Sequence, residues 1–327
     1  MCRQSSMRFL LLQAMFRIFP WRGTACTAYF RYKLFQPTMR TYILPILLSA
    51  ILLSSCMGPS PAKDAGRDAT MSGSTTVETG SGADISAKNI DLFADLDKVQ
   101  ATGASVTYAQ DGSLGYIARP ARPGVYPAVV MIHEWWGLND HIKNMARILA
   151  DEGYVVLAVD LYQGEVATDP AVAGKKAGEV RENPAPALAN MQAAVAYLRT
   201  QPDVQSEKIA SLGWCFGGQQ SLNLALGSKD LAATVIYYGN LVTDAERLAS
   251  ITWPVLGIFG ETDTSVPVES VRAFESALKT AGVEQKIYVY PGVGHAFANP
   301  SGQRYAPKET VDAWEKTLNF LRAHLGA

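Results

Sequence analysis

The sequence predicts an α/β protein in which helices cover both faces of an open, mostly parallel sheet. Short runs of consecutive apolar residues, such as YPAVVMIH at 126–133 and VVLAVDLY at 155–162, are typical of strands buried on both faces. These runs alternate with segments whose apolar residues recur at helical spacing. Because strands that alternate with helices form parallel sheets, one domain of this class accommodates the whole pattern.

The predicted elements begin with an antiparallel pair. The runs VTYA (106–109) and LGYIARP (114–120) flank Asp111-Gly112, which is a strong hairpin-turn signal. Further strands are predicted at 126–133, 155–162, 208–214, 233–239, 254–260 and 285–292. Helices are predicted at 139–154, 186–201, 218–226, 244–250, 268–282 and 308–324. In such sheets, functional residues lie just beyond the carboxyl ends of the strands.

Residues 39–58, MRTYILPILLSAILLSSCMG, have the features of a secretory signal. Arg40 precedes an apolar run that is too short and too isolated for a membrane span, and small residues follow that run. The closing LSSC resembles a bacterial lipobox, in which the cysteine, here Cys56, is acylated. A plain signal peptide with an incidental cysteine is the alternative. Residues 1–38 do not fit a signal peptide, so we expect Met39 to be the true start.

These features predict an exported cell-envelope lipoprotein that faces the periplasm. Residues 1–56 form the signal or targeting segment, and acyl chains on Cys56 would anchor the protein to the membrane. Residues 57–88 are rich in Gly, Ser, Thr and Ala without apolar periodicity, so we expect a flexible tether there. The folded domain is then predicted to occupy residues 89–327.

Composition and charge favour a soluble folded domain that acts on a small molecule. Hydrophobic residues make up 48% of the chain and charged residues 18%. The net charge of -1 excludes a nucleic-acid partner, since that would require a basic surface to displace counterions from phosphates. We expect a monomer without a metal ion or another cofactor.

Cysteine usage draws attention to the run GWCFGG at 213–218. The sequence has four cysteines; if it starts at Met39 and Cys56 is acylated, Cys215 is the only free thiol and no internal disulfide can form. Cys215 follows a predicted strand, precedes a predicted helix and fits the pattern G-x-nucleophile-x-G. The helix N-terminus would favour its thiolate, whereas the alternative is an inert cysteine in a glycine-rich turn.

A cysteine nucleophile needs a base, and the chain has four histidines. His324 lies in the last predicted helix and His141 in the first, while His133 ends a strand before the cysteine. His295 follows the last strand in the glycine-flanked loop YPGVGHAFAN, which is where this architecture places its base. The prediction is therefore His295.

An acid that orients the imidazole should lie between the nucleophile and the base in sequence. The segment IFGETDTSVP follows a buried strand and offers Glu261 and Asp263. Either acid could instead cap the following helix. We favour Asp263, because the first residues after a strand usually complete the turn.

From about residue 104 to its end, the chain resembles the dienelactone hydrolase family of the α/β-hydrolase fold. The resemblance rests on HEWWGLN (133–139), DLY (160–162), GWCFGG (213–218), GETDTSVP (260–267) and GVGHAFAN (292–299). It implies an α/β-hydrolase domain that hydrolyses a small ester or lactone through an acyl-cysteine, as in carboxymethylenebutenolidase-type enzymes. Cys215 would attack the carbonyl, His295 would transfer the proton and Asp263 would hold His295.

The resemblance also implies roles for residues around the cysteine. Backbone N–H groups of Trp135 and Phe216 would hold the oxyanion. Glu134 matches a family glutamate that contacts the cysteine at rest and helps to deprotonate it when substrate arrives. Trp136 could line the cleft or simply pack there, and His133, at the end of its strand, is another candidate substrate contact.

One feature departs from the family's pattern. Enzymes that act on dienelactone carry an arginine four residues after the catalytic histidine to grip the substrate carboxylate, and Asn299 occupies that position here. A neutral amide cannot form a bidentate, charge-assisted clamp. Asn299 and Arg181 are candidate substrate contacts, and the departure leaves the substrate open.

Two other functions compete with hydrolysis. A thiol-redox protein would need a resolving thiol or a C-x-x-C pair, which the predicted mature chain lacks. A catalytically silent binding module would not need all three positions of the nucleophile, base and acid to be filled.

Overall fold

The computed structural model describes residues 96–326. The predicted signal segment at 1–56, the tether at 57–88 and the acylation site at Cys56 lie outside the described residues. Within 96–326, no helix combines the length and the apolar character that crossing a bilayer requires.

In the described part of the chain, eight strands form one sheet. They are β1 (Thr102–Thr107), β2 (Leu114–Arg119), β3 (Tyr126–Ile132), β4 (Val155–Val159), β5 (Val204–Trp214), β6 (Ala233–Tyr237), β7 (Val255–Gly260) and β8 (Gln285–Tyr290). Their order across the sheet is β1-β2-β4-β3-β5-β6-β7-β8. β2 pairs antiparallel with both β1 and β4, whereas all pairs from β4 to β8 are parallel. The prediction of a mostly parallel sheet that begins with an antiparallel pair is confirmed.

Within residues 96–326, seven α-helices connect or follow the strands. They are α1 (Asp140–Asp151), α2 (Pro170–Glu182), α3 (Ala185–Arg199), α4 (Phe216–Gly227), α5 (Ala245–Leu248), α6 (Val268–Thr280) and α7 (Pro307–Leu325), and a 3-10 turn at Leu96–Lys98 precedes β1. Every residue of β4, β6 and β7 is buried, so both faces of the sheet centre are covered. The apolar runs that predicted these strands therefore reflect burial from two sides.

The sequence pattern did not predict helix α2. Only Ala173 and Ala177 of this helix are buried, so it carries almost no apolar periodicity. A start signal was nevertheless present, because Asp169 accepts hydrogen bonds from the backbone N–H groups of Ala171 and Val172 and Pro170 occupies the first turn. The last turn of helix α2 brings Arg181 to the cleft described below.

Candidate active site

Cys215 lies at a sharp turn between β5 and α4. β5 ends at Trp214 and α4 begins at Phe216, so this single residue reverses the direction of the chain. Its φ of 56° and ψ of -118° lie in a region that side chains other than glycine rarely adopt. Its backbone N–H donates a hydrogen bond to the carbonyl oxygen of Tyr237, 3.0 Å away, which ties the strained turn to the end of β6.

The glycines around Cys215 are required by close backbone contacts. A Cβ atom on Gly213 would lie 2.2 Å from the carbonyl oxygen of Gly217. A Cβ atom on Gly217 would lie 2.3 Å from the carbonyl oxygen of Ile132 at the end of β3. Since neither oxygen can move without moving its strand or helix, only glycine fits at these positions.

Two hydrogen bonds join Cys215, His295 and Asp263. The Nε2 atom of His295, in the loop after β8, lies 3.0 Å from the sulfur of Cys215. The Nδ1 atom of the same ring lies 2.8 Å from Oδ2 of Asp263, in the loop after β7. The structure thus brings together three residues from three different strand ends.

Asp263, and not Glu261, contacts the imidazole. The second oxygen of Asp263, Oδ1, accepts hydrogen bonds from the backbone N–H groups of Ser265 at 2.7 Å and Val266 at 3.0 Å. Glu261 is exposed and accepts a hydrogen bond from the backbone N–H of Gly292. The carboxylate of Asp263 is therefore fixed by two backbone donors on one side and faces His295 with the other.

The protonation equilibria of the pair favour a charged imidazole ring. Burial disfavours the charged form of His295, but the hydrogen bonds with Asp263 and Cys215 outweigh it and raise the pKa of His295 to about 10. Burial also opposes ionisation of Asp263, yet its hydrogen bond with His295 and the two backbone donors leave its pKa below the ordinary value. Asp263 consequently stays ionised and stabilises the imidazolium form of His295.

The backbone N–H groups of Trp135 and Phe216 are available for an additional acceptor. Phe216 is the first residue of α4, and Trp135 lies in the turn after β3. Neither N–H forms a hydrogen bond within residues 96–326, and both residues line the cleft around Cys215. N–H groups at the first turn of a helix have no partner within that helix, which leaves Phe216 free to bind an anion.

Glu134 is held by Asn299 and forms no hydrogen bond with the cysteine sulfur. The Nδ2 atom of Asn299 donates to Oε2 of Glu134, although 165 residues separate them. Burial raises the pKa of Glu134 to about 7, and the hydrogen bond from Asn299 and the nearby His295 limit that rise. Among the described residues, Glu134 and Cys215 share no hydrogen bond of the kind that the resemblance implies at rest: the carboxylate is bonded to Asn299 and the sulfur to His295.

A cleft of about 740 Å³ opens above Cys215. Trp136, Arg181 and Asn299, three of the candidate substrate contacts, line it. The polar atoms of Asn299 are already engaged, since Nδ2 donates to Glu134 and Oδ1 accepts from Ser301. The cleft therefore offers Arg181 and Trp136 to a ligand more directly than it offers Asn299.

His133 does not line this cleft. Its side chain is fully buried, its Nε2 accepts the backbone N–H of Leu161 at 3.1 Å, and its Nδ1 lies 2.5 Å from the carbonyl oxygen of Glu134. Its ring stacks on Phe216 with 5.8 Å between centroids. The expectation that His133 contacts substrate is contradicted, because the ring is fully buried and its nitrogens are bonded to the backbone, one to Glu134 and the other to Leu161.

The cleft residues that sequence reasoning missed include Arg304 and Tyr238. Arg304 is exposed in the loop before α7, where no motif marks it. Tyr238 follows β6 and places its ring edge-on to His295 with 5.2 Å between centroids. Its position just past a buried strand, beside the strand that carries the cysteine, was the one signal for it.

Among the described residues, no group of three or more His, Cys, Asp or Glu side chains is arranged to hold a metal ion.

The sharp turn at Cys215, placed after the fifth strand of a sheet with this order, defines a protein of the α/β-hydrolase fold. The chain belongs to the dienelactone hydrolase family, whose model matches residues 114–325. This result confirms the family resemblance drawn from the motifs.

Relatives and solved structures agree with this assignment. A protein of Synechocystis sp. described as "Putative carboxymethylenebutenolidase" is 31% identical over 227 residues, which cover 64% of this chain and 92% of the relative. "Protein usf" of Aquifex pyrophilus is 35% identical over 217 residues, which cover 64% and 93%. The structure is similar to that of a dienelactone hydrolase-like promiscuous phosphotriesterase from metagenomic libraries, with a TM-score of 0.65, 28% identity and coverage of 69% of this chain and 100% of the other.

Proposed function

We propose that this protein hydrolyses a small ester or lactone through Cys215, His295 and Asp263, with an acyl-cysteine intermediate, as a dienelactone hydrolase-like, carboxymethylenebutenolidase-type enzyme. The observation that carries the proposal is the 3.0 Å contact between Nε2 of His295 and the sulfur of Cys215 at the base of the cleft. Membership of the family and the names of the relatives support the reaction class.

In the first half of the reaction, the sulfur of Cys215 attacks the carbonyl carbon while His295 holds the thiol proton. A C–S bond forms, and the carbonyl electron pair moves to oxygen. The tetrahedral intermediate then collapses with cleavage of the C–O bond, and His295 returns its proton to the leaving alcohol oxygen. In a lactone, that alcohol remains attached to the acyl group.

In the second half, water replaces the thiol. His295 accepts a proton from water, the resulting hydroxide attacks the acyl carbon, and the C–S bond breaks to release the carboxylic acid and the sulfur. The backbone N–H groups of Trp135 and Phe216 would bind the oxyanion in both tetrahedral intermediates. Asp263 remains ionised throughout and compensates the charge of the imidazolium ring.

The decisive experiment measures turnover of p-nitrophenyl acetate and inactivation by iodoacetamide across a pH series. We expect turnover to disappear in Cys215→Ala and in His295→Ala, and iodoacetamide to abolish turnover of the parent protein. Unchanged turnover in both variants would remove the proposal. A folded parent protein that binds esters without cleaving them would favour a binding module, and reversible thiol exchange without hydrolysis would favour a redox protein.

The proposed cellular setting is the envelope, with the protein anchored through acylated Cys56. The support is the order of Arg40, an apolar run and LSSC in residues 39–58. Palmitate labelling of the expressed protein and its loss in Cys56→Ala would support the anchor. An exported protein without label would instead favour a plain signal peptide.

A further inference from the structure

The side chains of Asn299 and Ser301 form a small fixed unit beside Glu134. Oδ1 of Asn299 accepts two hydrogen bonds from Ser301, one from the backbone N–H at 2.9 Å and one from Oγ at 2.6 Å. These two donors use both lone pairs of the amide oxygen. As a result, only the Nδ2 donor of Asn299 can face the carboxylate of Glu134, and the amide cannot turn over without losing both bonds.

We propose that Asn299 is a positioning residue that holds the Glu134 carboxylate away from Cys215, so that Cys215 and His295 are paired before any substrate binds. The inference rests on the proposed function, because it concerns how the nucleophile of that reaction is prepared. Asn299 stands where the family's pattern has an arginine, and the inference assigns this asparagine a role in activation of the nucleophile.

The carboxylate of Glu134 and the sulfur of Cys215 have different hydrogen-bond partners. Glu134 and Asn299 are 4% and 5% exposed, so a carboxylate at this position needs a donor. That donor is Asn299, while the hydrogen-bond partner of the sulfur within the described residues is Nε2 of His295. Glu134 and His295 are the two potential proton acceptors for the thiol. The carboxylate of Glu134 is bonded to Asn299, whereas the imidazole of His295 is bonded to the sulfur.

The charge of the Glu134 carboxylate affects Cys215 and His295 differently depending on where it is held. A carboxylate next to sulfur would accept the S–H proton in a hydrogen bond and would disfavour the thiolate by like-charge repulsion. A carboxylate held by Asn299 and close to His295 instead favours the imidazolium ring. Other ionisable groups near Glu134 come from separate elements: His133 precedes it, Tyr238 follows β6, and Arg181 and Arg304 line the same cleft.

The consequence is a cysteine that is reactive in the free enzyme. In the mechanism implied by the resemblance, the glutamate contacts the cysteine at rest and substrate must displace it. Here the hydrogen-bond donor that removes the glutamate belongs to the protein itself. Reaction of Cys215 with a small alkylating agent should therefore not need a substrate to trigger it.

The test follows alkylation of Cys215 by iodoacetamide from pH 5 to 10, without substrate, by mass spectrometry of the tryptic peptide 209–229. In Asn299→Leu, Glu134 loses its donor and is free to approach the sulfur. We expect this variant to alkylate about tenfold more slowly than the parent at pH 8, with the midpoint of its profile displaced upward. Ser301→Ala should shift the profile in the same direction by less, because the amide oxygen of Asn299 loses the Oγ donor of Ser301 but keeps its backbone N–H donor.

Rescue separates positioning from a merely structural effect. We expect the double variant Asn299→Leu/Glu134→Gln to recover the parent profile, since the competing charge is gone. Asn319→Leu, at an exposed position on α7, is the matched control and should leave the profile unchanged. Circular dichroism and thermal melts establish that each variant is folded.

Two results would overturn the inference: a parent-like profile in Asn299→Leu, or a slow profile that persists in the double variant. Neither depends on ester hydrolysis. Turnover that survives Cys215→Ala would instead overturn the proposed function, so failure of one proposal can be told from failure of the other.

Discussion

Nδ1 of His295 lies 2.8 Å from Oδ2 of Asp263, and the other oxygen of Asp263 accepts two backbone hydrogen bonds. An amide at position 263 would keep its oxygen on the backbone donors and turn its NH₂ group toward His295. Nδ1 would then have to accept, which forces the ring proton onto Nε2 and removes the base for Cys215. We expect Asp263→Asn to lower kcat by a factor on the order of 10³–10⁴.

Glu261→Gln is the control for that change, because Glu261 is the neighbouring acid and contacts Gly292 rather than the imidazole. Its steady-state kinetics should match those of the parent. Comparable losses of kcat in both variants would contradict the assignment of Asp263.

The glycines of the turn should be indispensable for stability. Ala at position 217 would place its Cβ 2.3 Å from the carbonyl oxygen of Ile132, so β3 and α4 would have to separate. We expect Gly217→Ala to lower the free energy of unfolding by at least about 2–3 kcal/mol in urea denaturation.

Gly178→Ala in α2 provides the comparison, since nothing lies within 4 Å of the added Cβ. There the helix propensity of alanine should raise stability by up to about 1 kcal/mol. A loss of stability in Gly178→Ala equal to that in Gly217→Ala would mean that backbone crowding is not the cause.

Burial of Glu134 should make stability depend on pH in a defined direction. Its pKa is about 7 in the folded protein against an ordinary value of 4.5, so the native state retains a proton that the unfolded state loses. The favourable contribution is complete below pH 4.5 and is lost as pH rises through 7. We expect Glu134→Gln to gain about 3 kcal/mol relative to the parent between pH 4 and 8, measured by urea denaturation at each pH. A stability difference between parent and variant that stays constant with pH would contradict this account.

The arginines of the cleft should select substrates by charge. Arg181 and Arg304 line the cleft, and neither forms an ion pair or hydrogen bond within residues 96–326. A carboxylate on the substrate could reach one or both. We expect Arg181→Met and Arg304→Met to lower kcat/KM about tenfold for esters that carry a carboxylate.

Neutral esters of the same size are the controls for both arginine variants and should be turned over at parent rates. Equal losses for charged and neutral esters would show that the arginines shape the cleft without recognising charge.

Several parts of the fold and the site follow from local sequence. The buried strands can be predicted from runs of apolar residues, because both faces of the sheet are covered. The motif GWCFGG predicts the turn at Cys215, because the strained backbone there leaves room only for glycine at positions 213 and 217. His295 could be brought into the hypothesis because its loop follows a strand whose end lies at the same sheet edge as Cys215.

Other parts could not be read from the sequence. Helix α2 escaped prediction because its residues are mostly exposed and carry no apolar stripe. His133 was expected in the cleft because it ends a strand, yet its ring is fully buried and both of its nitrogens are bonded to backbone groups. Arg304 reaches the cleft through a loop whose path no local pattern specifies.

The sequence by itself determined the class of fold, the turn that bears Cys215, and the order of Cys215, Asp263 and His295 along the chain. These features depend on hydrophobic periodicity and backbone strain, which act over a few neighbouring residues. The tertiary structure alone decided which acid meets His295 and which donor meets Glu134. Those choices depend on how loops from distant strands approach one another. The hydrogen bond between Asn299 and Glu134, which are 165 residues apart, requires the loops after β3 and β8 to lie side by side.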